Sequence, residues 1–283
     1  SLTDAKPYAA AKHFNMTVRA RYACVVFFLL SPAAIFLHQF YGEAVFAAVG
    51  FWAYAYALKR RWLYVGILLA ILTASRLPAL LFVGLCLLEY LRAYDWNFKK
   101  ALNRKALYFL LAPIGFVIYG FYLLAVRGDF FAMFSAYHAT DDWAYQSFNP
   151  NFLYPIVHGY YETLLAITSH AAINSNLIVG TIIPLFSLTI LFICSLYLVL
   201  KYRGKGIPLG IFGLVSGVFF TLNSNLVSVH RYTLPCLGIY IAMALVYRAY
   251  PKLRVLVIGT TILSAAIQLL LIIWLYTTDK FVG

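Results

Sequence analysis

The chain has 283 residues, of which 64% are hydrophobic and only 11% are charged. Soluble domains average roughly 45–50% apolar and 25% charged residues, so this composition excludes an ordinary soluble protein and indicates an integral membrane protein. The formal net charge of +13 does not indicate nucleic-acid binding, because the basic residues lie in short loops beside apolar segments rather than in a basic soluble domain.

Apolar segments recur from Arg19 to Tyr276, and about 20 helical residues suffice to cross a hydrocarbon core. We therefore predict an all-α fold, a polytopic transmembrane helix bundle of about nine spans, forming a single transmembrane domain over residues 1–283. The predicted spans cover 19–37, 43–58, 62–75, 77–92, 105–126, 176–200, 207–226, 232–249 and 254–276. The four cysteines fall inside apolar segments, where cysteine acts as a small hydrophobe, and they predict neither disulfides nor a metal site.

Basic residues predict the orientation of these spans. About 18 of the 22 lysines and arginines fall on one side, among them "KRR" at 59–61 and "KYRGK" at 201–205. The positive-inside rule makes this side cytoplasmic. We expect a cytoplasmic N-terminus and an extracytoplasmic C-terminus, in a bacterial inner membrane or the endoplasmic reticulum.

The opposite side holds about six of the nine acidic residues and five of the six histidines. Four stretches converge there: "HQFYGE" between the first two spans, Arg76, the long loop at 127–175, and "VHRYTLP" before a late span. Loops this long in a compact domain are usually functional or form a packed lid. The titratable chemistry is therefore predicted to be extracytoplasmic.

Each candidate residue also has a structural interpretation. Arg76 could extend to the membrane interface, as basic residues near helix ends often do, or bind a phosphate or carboxylate. Glu43 could be favoured by the dipole at the start of the second span. Asp141 and Asp142 could cap a helix or face solvent in the loop. The histidines show no metal-binding spacing, so we expect no metal site built from histidine alone.

A functional site is favoured by the joint occurrence of charges at one rim of the bundle. Arg76 ends the third span, Arg231 precedes the eighth, and carboxylates lie in two outer loops. Charges are costly near lipid, so these groups should neutralise one another or an anionic ligand. Arginine suits phosphate because its planar fork offers paired donors. A phosphate facing away from the cytoplasm fits a lipid-linked phosphate better than a nucleotide.

The chain resembles the multi-pass mannosyltransferases related to the GPI mannosyltransferase II catalytic subunit, within the GT-C superfamily. "FFLLSPAAIFLHQFYGEAVF" is similar to a family segment in which a span ends near a proline and a short outer loop carries Tyr41 and Glu43. A later span closes on Ser75 and Arg76. "GDFFAMFSAYHATDDW" is similar to the family's Gly-Asp loop, and "HRYTLP" to its Arg-Tyr segment.

This resemblance implies a GT-C-like fold and an inverting transfer of mannose from a polyprenyl or dolichyl phosphate donor to an acceptor on the outer face. The donor is the lipid-phosphate-linked sugar itself, and no cofactor is implied. Arg76 and Arg231 are the candidates for phosphate contact, and Glu43 and Asp129 for orienting sugar hydroxyls or holding the arginines. Tyr41 and His230 are further candidates for substrate binding.

The sequence departs from the family at the catalytic carboxylate, which GT-C enzymes carry in the first outer loop after an N-terminal span. Residues 1–21 are instead predicted to be cytoplasmic, so we expect the N-terminal catalytic portion to be missing from this sequence. A separate polypeptide near the first two spans could supply it, and Asp141 or Asp142 could substitute for its base.

The departure leaves two classes of function open: a lipid-phosphate-dependent glycosyltransferase, or a noncatalytic subunit that keeps the scaffold within a membrane assembly. An ion-coupled transporter is less favoured, because the sequence predicts no paired Gly/Pro-broken helices.

Overall fold

The computed structural model describes residues 13–37, 42–76, 78–132, 148–169 and 177–278. The prediction of an all-α fold is confirmed, because the described ranges contain helices and turns with one isolated β-bridge, between Phe148 and Asn223. The α-helices are α1 Val18–Leu29, α2 Glu43–Leu58, α3 Trp62–Thr73, α4 Ala79–Ala93, α5 Phe98–Ala101, α6 Ala112–Arg127, α7 Tyr154–Thr168, α8 Ile183–Lys201, α9 Ile207–Phe220, α10 Val229–Thr233, α11 Gly238–Ala249 and α12 Arg254–Thr278. Tighter 3₁₀ turns cover Pro32–Leu37, Arg104–Leu111 and Pro251–Leu253, and a π-helical turn covers Ile178–Ile182.

Three described helices are long and apolar enough to cross a membrane: Arg104–Arg127, Ile178–Lys201 and Pro251–Trp274. Four shorter apolar helices accompany them: α2, α3, α9 and α11. A helix of 12 residues such as α3 is about 18 Å long, which is less than the roughly 30 Å of a hydrocarbon core. The shorter helices therefore cover only part of a bilayer's thickness.

Two predicted spans are interrupted at prolines. The span predicted at 19–37 ends as an α-helix at Leu29 and continues after Ser31 as a 3₁₀ turn that begins at Pro32. The span predicted at 232–249 is preceded by the separate short helix α10 and begins as a helix only at Gly238, after Pro235. Proline lacks the backbone donor that a continuing helix needs and restricts the residue before it. The two segments therefore differ from the continuous spans predicted at 19–37 and 232–249.

Close helix contacts at small residues hold the bundle together. A Cβ atom on Gly115 in α6 would lie 1.7 Å from the carbonyl oxygen of Ala70 in α3, and one on Gly213 in α9 would lie 2.1 Å from Oγ of Ser195 in α8. Such approaches are possible only without a side chain, and they are typical of helix packing in membranes, where van der Waals contact drives association. The glycines therefore fix the α3–α6 and α8–α9 pairs.

Basic side chains form hydrogen bonds between distant segments of the chain at one end of the bundle. Lys205 Nζ donates to the carbonyl of His13 at 3.3 Å, and Arg248 Nη1 donates to the carbonyl of Asn15 at 2.8 Å. Burial lowers the pKa of His13 to about 4, with the charges of Arg92 and Lys205 adding to the effect, so His13 is neutral at pH 7. These bonds make neighbours of three elements: the N-terminal segment, the α8–α9 turn and the end of α11. The sequence assigns all three to one side of the membrane.

The predicted outer loop at 127–175 contains a helix, α7, which the sequence prediction missed. A Cβ atom on Gly159 would lie 3.1 Å from side-chain atoms of both Thr181 and Leu185, so α7 packs closely on the start of α8. The hydroxyl groups of Tyr160 and Thr189 form a hydrogen bond with an oxygen–oxygen distance of 2.5 Å. Upstream of α7, Asn149 N donates to the carbonyl of Leu222 at 3.0 Å. This part of the predicted loop is therefore packed against the bundle.

Candidate functional site

Glu43 is the first residue of α2 and the centre of the candidate site. Its side chain is only 1% exposed, although an unpaired carboxylate would be strongly disfavoured in such a position. Its place in the first turn favours a negative charge through the helix dipole, and two arginines also contact it. The Glu43 carboxylate is therefore stabilised both by the dipole of α2 and by the two arginines.

Arg76 approaches Glu43 from the turn between α3 and α4. Arg76 Nη1 donates to Glu43 Oε1 at 2.7 Å, and the arginine side chain is 26% exposed. A backbone hydrogen bond from Ala79 N to the carbonyl of Arg76 stabilises this turn. Pro78 is the residue immediately before α4. The Arg76 side chain therefore stays partly accessible while the carboxylate holds its guanidinium.

Arg231 approaches the same carboxylate oxygen from α10. Its Nε lies 3.1 Å from Glu43 Oε1, and its side chain is 10% exposed. Its guanidinium carbon lies 5.6 Å from the ring centre of Phe36 and 5.1 Å from that of Tyr232, and Nη2 donates to the Tyr232 hydroxyl at 3.1 Å. Cation–π contacts gain strength when desolvated, so the two rings hold Arg231 firmly in place.

These three residues, Glu43, Arg76 and Arg231, form what we call the charged cluster. It joins three separate parts of the chain around one oxygen atom, with two positive charges and one negative charge. Arg231 is largely buried, whereas Arg76 is the more exposed of the two arginines. Two guanidinium groups side by side suit an anionic ligand, because each offers several N–H donors.

The charged cluster faces a cleft between α2, α4, α9 and α10. Apolar and aromatic side chains complete its walls, among them Phe46, Phe82, Phe212 and Phe220. The cleft has a cavity volume of about 20 Å³, room for about one water molecule. Within the described residues, Glu43 Oε2 is buried without a hydrogen-bond partner. The cleft therefore offers a ligand one unused carboxylate oxygen beside the accessible part of Arg76.

Other predicted site residues lie elsewhere or outside the described residues. His230 is fully buried and packs against Phe36, with ring centres 5.8 Å apart, and it does not line the cleft. Asp129 follows α6 and accepts a hydrogen bond from Phe131 N at 2.8 Å, a local turn contact outside the cleft lining. Tyr41, Asp141 and Asp142 lie outside the described residues. Among the residues described, no cluster of histidine, cysteine, aspartate and glutamate could hold a metal ion.

Sequence reasoning missed the side chains that surround the charged cluster. Phe36 lies in the 3₁₀ turn after the first helix break, and Phe46 lies one turn after Glu43. The only available signal for Phe46 is its spacing of three residues from Glu43, which places both on one face of a helix. Nothing in the sequence singles out Phe36 among the 23 phenylalanines.

Comparison of the chain with protein-family models, with curated proteins and with solved structures finds no match. The resemblance to GT-C mannosyltransferases therefore remains a prediction from the motifs quoted above.

Proposed function

We propose that this protein is a membrane glycosyltransferase of the mannosyltransferase type that moves a sugar from a polyprenyl-phosphate donor to an acceptor on the extracytoplasmic face. The observation that carries the proposal is the charged cluster, in which Arg76 and Arg231 converge on Glu43 beside an aromatic cleft. A phosphate ester suits the N–H donors of the partly exposed Arg76, and the aromatic walls suit the apolar chain and the sugar rings of such a donor.

In this transfer the acceptor oxygen attacks the anomeric carbon, the bond from that carbon to the phosphate oxygen breaks, and the phosphate leaves with the bonding electrons. Arg76 stabilises the departing phosphate, because charge develops there in the transition state. The acceptor proton passes to a general base. That base comes from the missing N-terminal portion, supplied by a separate polypeptide, or from Asp141 or Asp142 as a substitute.

The two arginines have different parts in this proposal. Arg231 is more deeply buried and is fixed by Phe36, Tyr232 and Glu43, so it positions the carboxylate. Arg76 is more exposed and contacts the phosphate. Glu43 Oε2 accepts a hydrogen bond from a sugar hydroxyl.

The proposal includes a topology of about nine spans in a GT-C-like arrangement, with the charged cluster on the outer side. Alternation of basic loops supports this orientation. Glu43 and the basic turn at 59–61 lie at opposite ends of α2, a helix of 16 residues and about 24 Å in length. The shorter helices would cross in tilted or locally thinned regions of the bilayer.

A second candidate function is a noncatalytic scaffold subunit of a membrane assembly. The narrowness of the cleft favours it, because a cavity of about 20 Å³ is far smaller than a sugar and must widen before a donor can enter. In this case the charged cluster would join α2, α4 and α10 without binding a donor.

Transfer of radiolabelled mannose from polyprenyl phosphate mannose tests the proposal. Membranes from the protein's native cells, which also contain any separate catalytic polypeptide, should transfer label to lipid or protein above the level of membranes from cells that lack the protein. The Arg76→Ala variant should lose about 10²–10³-fold of this activity, the usual effect of removing one stabilising donor. Arg127→Ala, at the exposed end of α6, is the matched control and should keep it. Activity at the background level in wild-type membranes would support the scaffold function instead.

A further inference from the structure

A second cleft lies on the other side of α10 from the charged cluster. Arg231 and Tyr232 line the first cleft, whereas the next residue, Thr233, lines the second. Its walls come from α1, α8, α11 and α12, and its cavity volume is about 30 Å³. The six hydroxyl-bearing residues that line this second cleft are Ser31, Ser187, Thr233, Tyr240, Thr261 and Ser264.

Five of these hydroxyls already donate their hydrogen to the backbone. Ser31 Oγ donates to Phe28 O at 2.9 Å, Thr233 Oγ1 to His230 O at 2.8 Å and Tyr240 OH to Leu234 O at 3.1 Å, next to the two helix breaks. Thr261 Oγ1 and Ser264 Oγ donate to carbonyls within α12 at 2.7 and 2.8 Å. A hydroxyl group whose hydrogen is already donated still has lone pairs, so it can only accept a further hydrogen bond.

Ser187 differs from the other five. Its residue is 7% exposed, and its Oγ is buried without a hydrogen-bond partner within the described residues. A buried polar atom without a partner requires an explanation, such as a water molecule or an ion. Ser187 therefore offers the second cleft an oxygen that the protein itself does not use.

The surroundings favour a positive ligand. The described residues that line the second cleft supply acceptor oxygens and apolar side chains, and none of them is a lysine, arginine or histidine. Ser31 stands just beyond the C-terminal end of α1, where the helix dipole is negative. In secondary transporters, the C-terminal ends of broken helices and their unwound backbone carbonyls coordinate sodium ions. A divalent ion is disfavoured, because it prefers carboxylate ligands and none of the lining residues in the described part of the chain is an aspartate or glutamate.

We infer that the second cleft binds a monovalent alkali cation, with Ser187 Oγ and the acceptor oxygens of Ser31 and Thr233 among its ligands. The size of the cavity, about 30 Å³, suits one such ion or a water molecule. This inference is independent of the proposed sugar transfer, because it uses different residues on the other side of α10.

The test is thermal unfolding of the full chain in lipid nanodiscs in sodium chloride, potassium chloride or N-methyl-D-glucamine chloride at equal ionic strength. The large organic cation cannot enter the cleft and controls for general salt effects. A ligand that binds only the folded state raises the unfolding midpoint, and we expect sodium or potassium to raise it by about 2–4 °C with saturation. Equal midpoints in all three salts would show that only water occupies the cleft and would overturn the inference.

Ser187→Ala should remove the cation-dependent rise. Ser195→Ala is the matched control. Ser195 lies on the same helix and is buried, and its Oγ also has no hydrogen-bond partner within the described residues. Unlike Ser187, it does not line the second cleft. It should keep the rise. Binding of radioactive sodium to the wild-type protein, displaced by unlabelled sodium, provides a second readout should Ser187→Ala fold poorly. Absence of displaceable binding, or an unchanged rise in Ser187→Ala, would contradict the inference.

Discussion

Replacing Glu43 with alanine should lower the free energy of unfolding by about 3–5 kcal/mol, the usual effect of removing one partner of a buried ion pair. Glu43 is 1% exposed, and Arg231, at 10% exposed, would remain largely buried without its carboxylate. Arg76 can turn toward solvent and contributes less to the loss. Chemical unfolding of the purified protein in detergent, followed by tryptophan fluorescence, measures the change.

Two variants separate the ion pair from a general effect of substitution. Glu162→Ala is the matched control, because Glu162 is 43% exposed and lies 3.6 Å from His158 on the surface of the same helix. Its effect should stay within about 1 kcal/mol. The double variant Glu43→Leu with Arg231→Leu should recover much of the lost stability, since apolar residues often replace a buried pair without cost. A Glu43→Ala protein as stable as the wild type would show that the charged cluster does not stabilise the fold.

Replacing Arg76 should weaken the binding of polyprenyl phosphate. A hydrogen bond to a charged group contributes about 1.5–3 kcal/mol, so Arg76→Ala should raise the dissociation constant about 10–100-fold. Arg76→Lys should also weaken binding, because lysine keeps the charge and loses the paired donors of the guanidinium. Native mass spectrometry or fluorescence titration in nanodiscs measures the affinity.

Arg127→Lys and Arg127→Ala provide the matched controls for the Arg76 series. Arg127 is an exposed arginine at the end of α6 and does not line the cleft. Both control variants should bind polyprenyl phosphate as the wild type does. Equal losses at Arg76 and Arg127 would show that the lipid responds only to the overall charge of the protein surface.

The charged cluster could be anticipated because of where its members lie in the sequence. Glu43, Arg76 and Arg231 each stand at an end of an apolar segment, and a charge in such a place needs a partner. The sequence predicted that the two arginines approach one anionic group. The structure identifies that group as Glu43 and brings the cluster together from three separate parts of the chain.

Other features could not be predicted, because they depend on packing between distant segments. Ser31-Pro32 occurs inside a long apolar run, and periodicity alone cannot tell a kinked helix from a broken one. Phe36 contacts Arg231 only because the broken segment turns toward α10. Helix α7 was not predicted, because the charged and aromatic residues around it are typical of a loop. In the structure, Gly159 allows this helix to pack on α8.

The most direct test of the central claim is the affinity of the wild-type protein for polyprenyl phosphate compared with the uncharged polyprenol of equal chain length. Both lipids offer the same apolar chain, so the difference reports the phosphate alone. Because the partly exposed Arg76 of the charged cluster lines the cleft, we predict that the phosphate binds at least about tenfold more tightly, a difference of roughly 1.4 kcal/mol. Equal affinities for the two lipids would contradict the claim that the cluster recognises a lipid-linked phosphate.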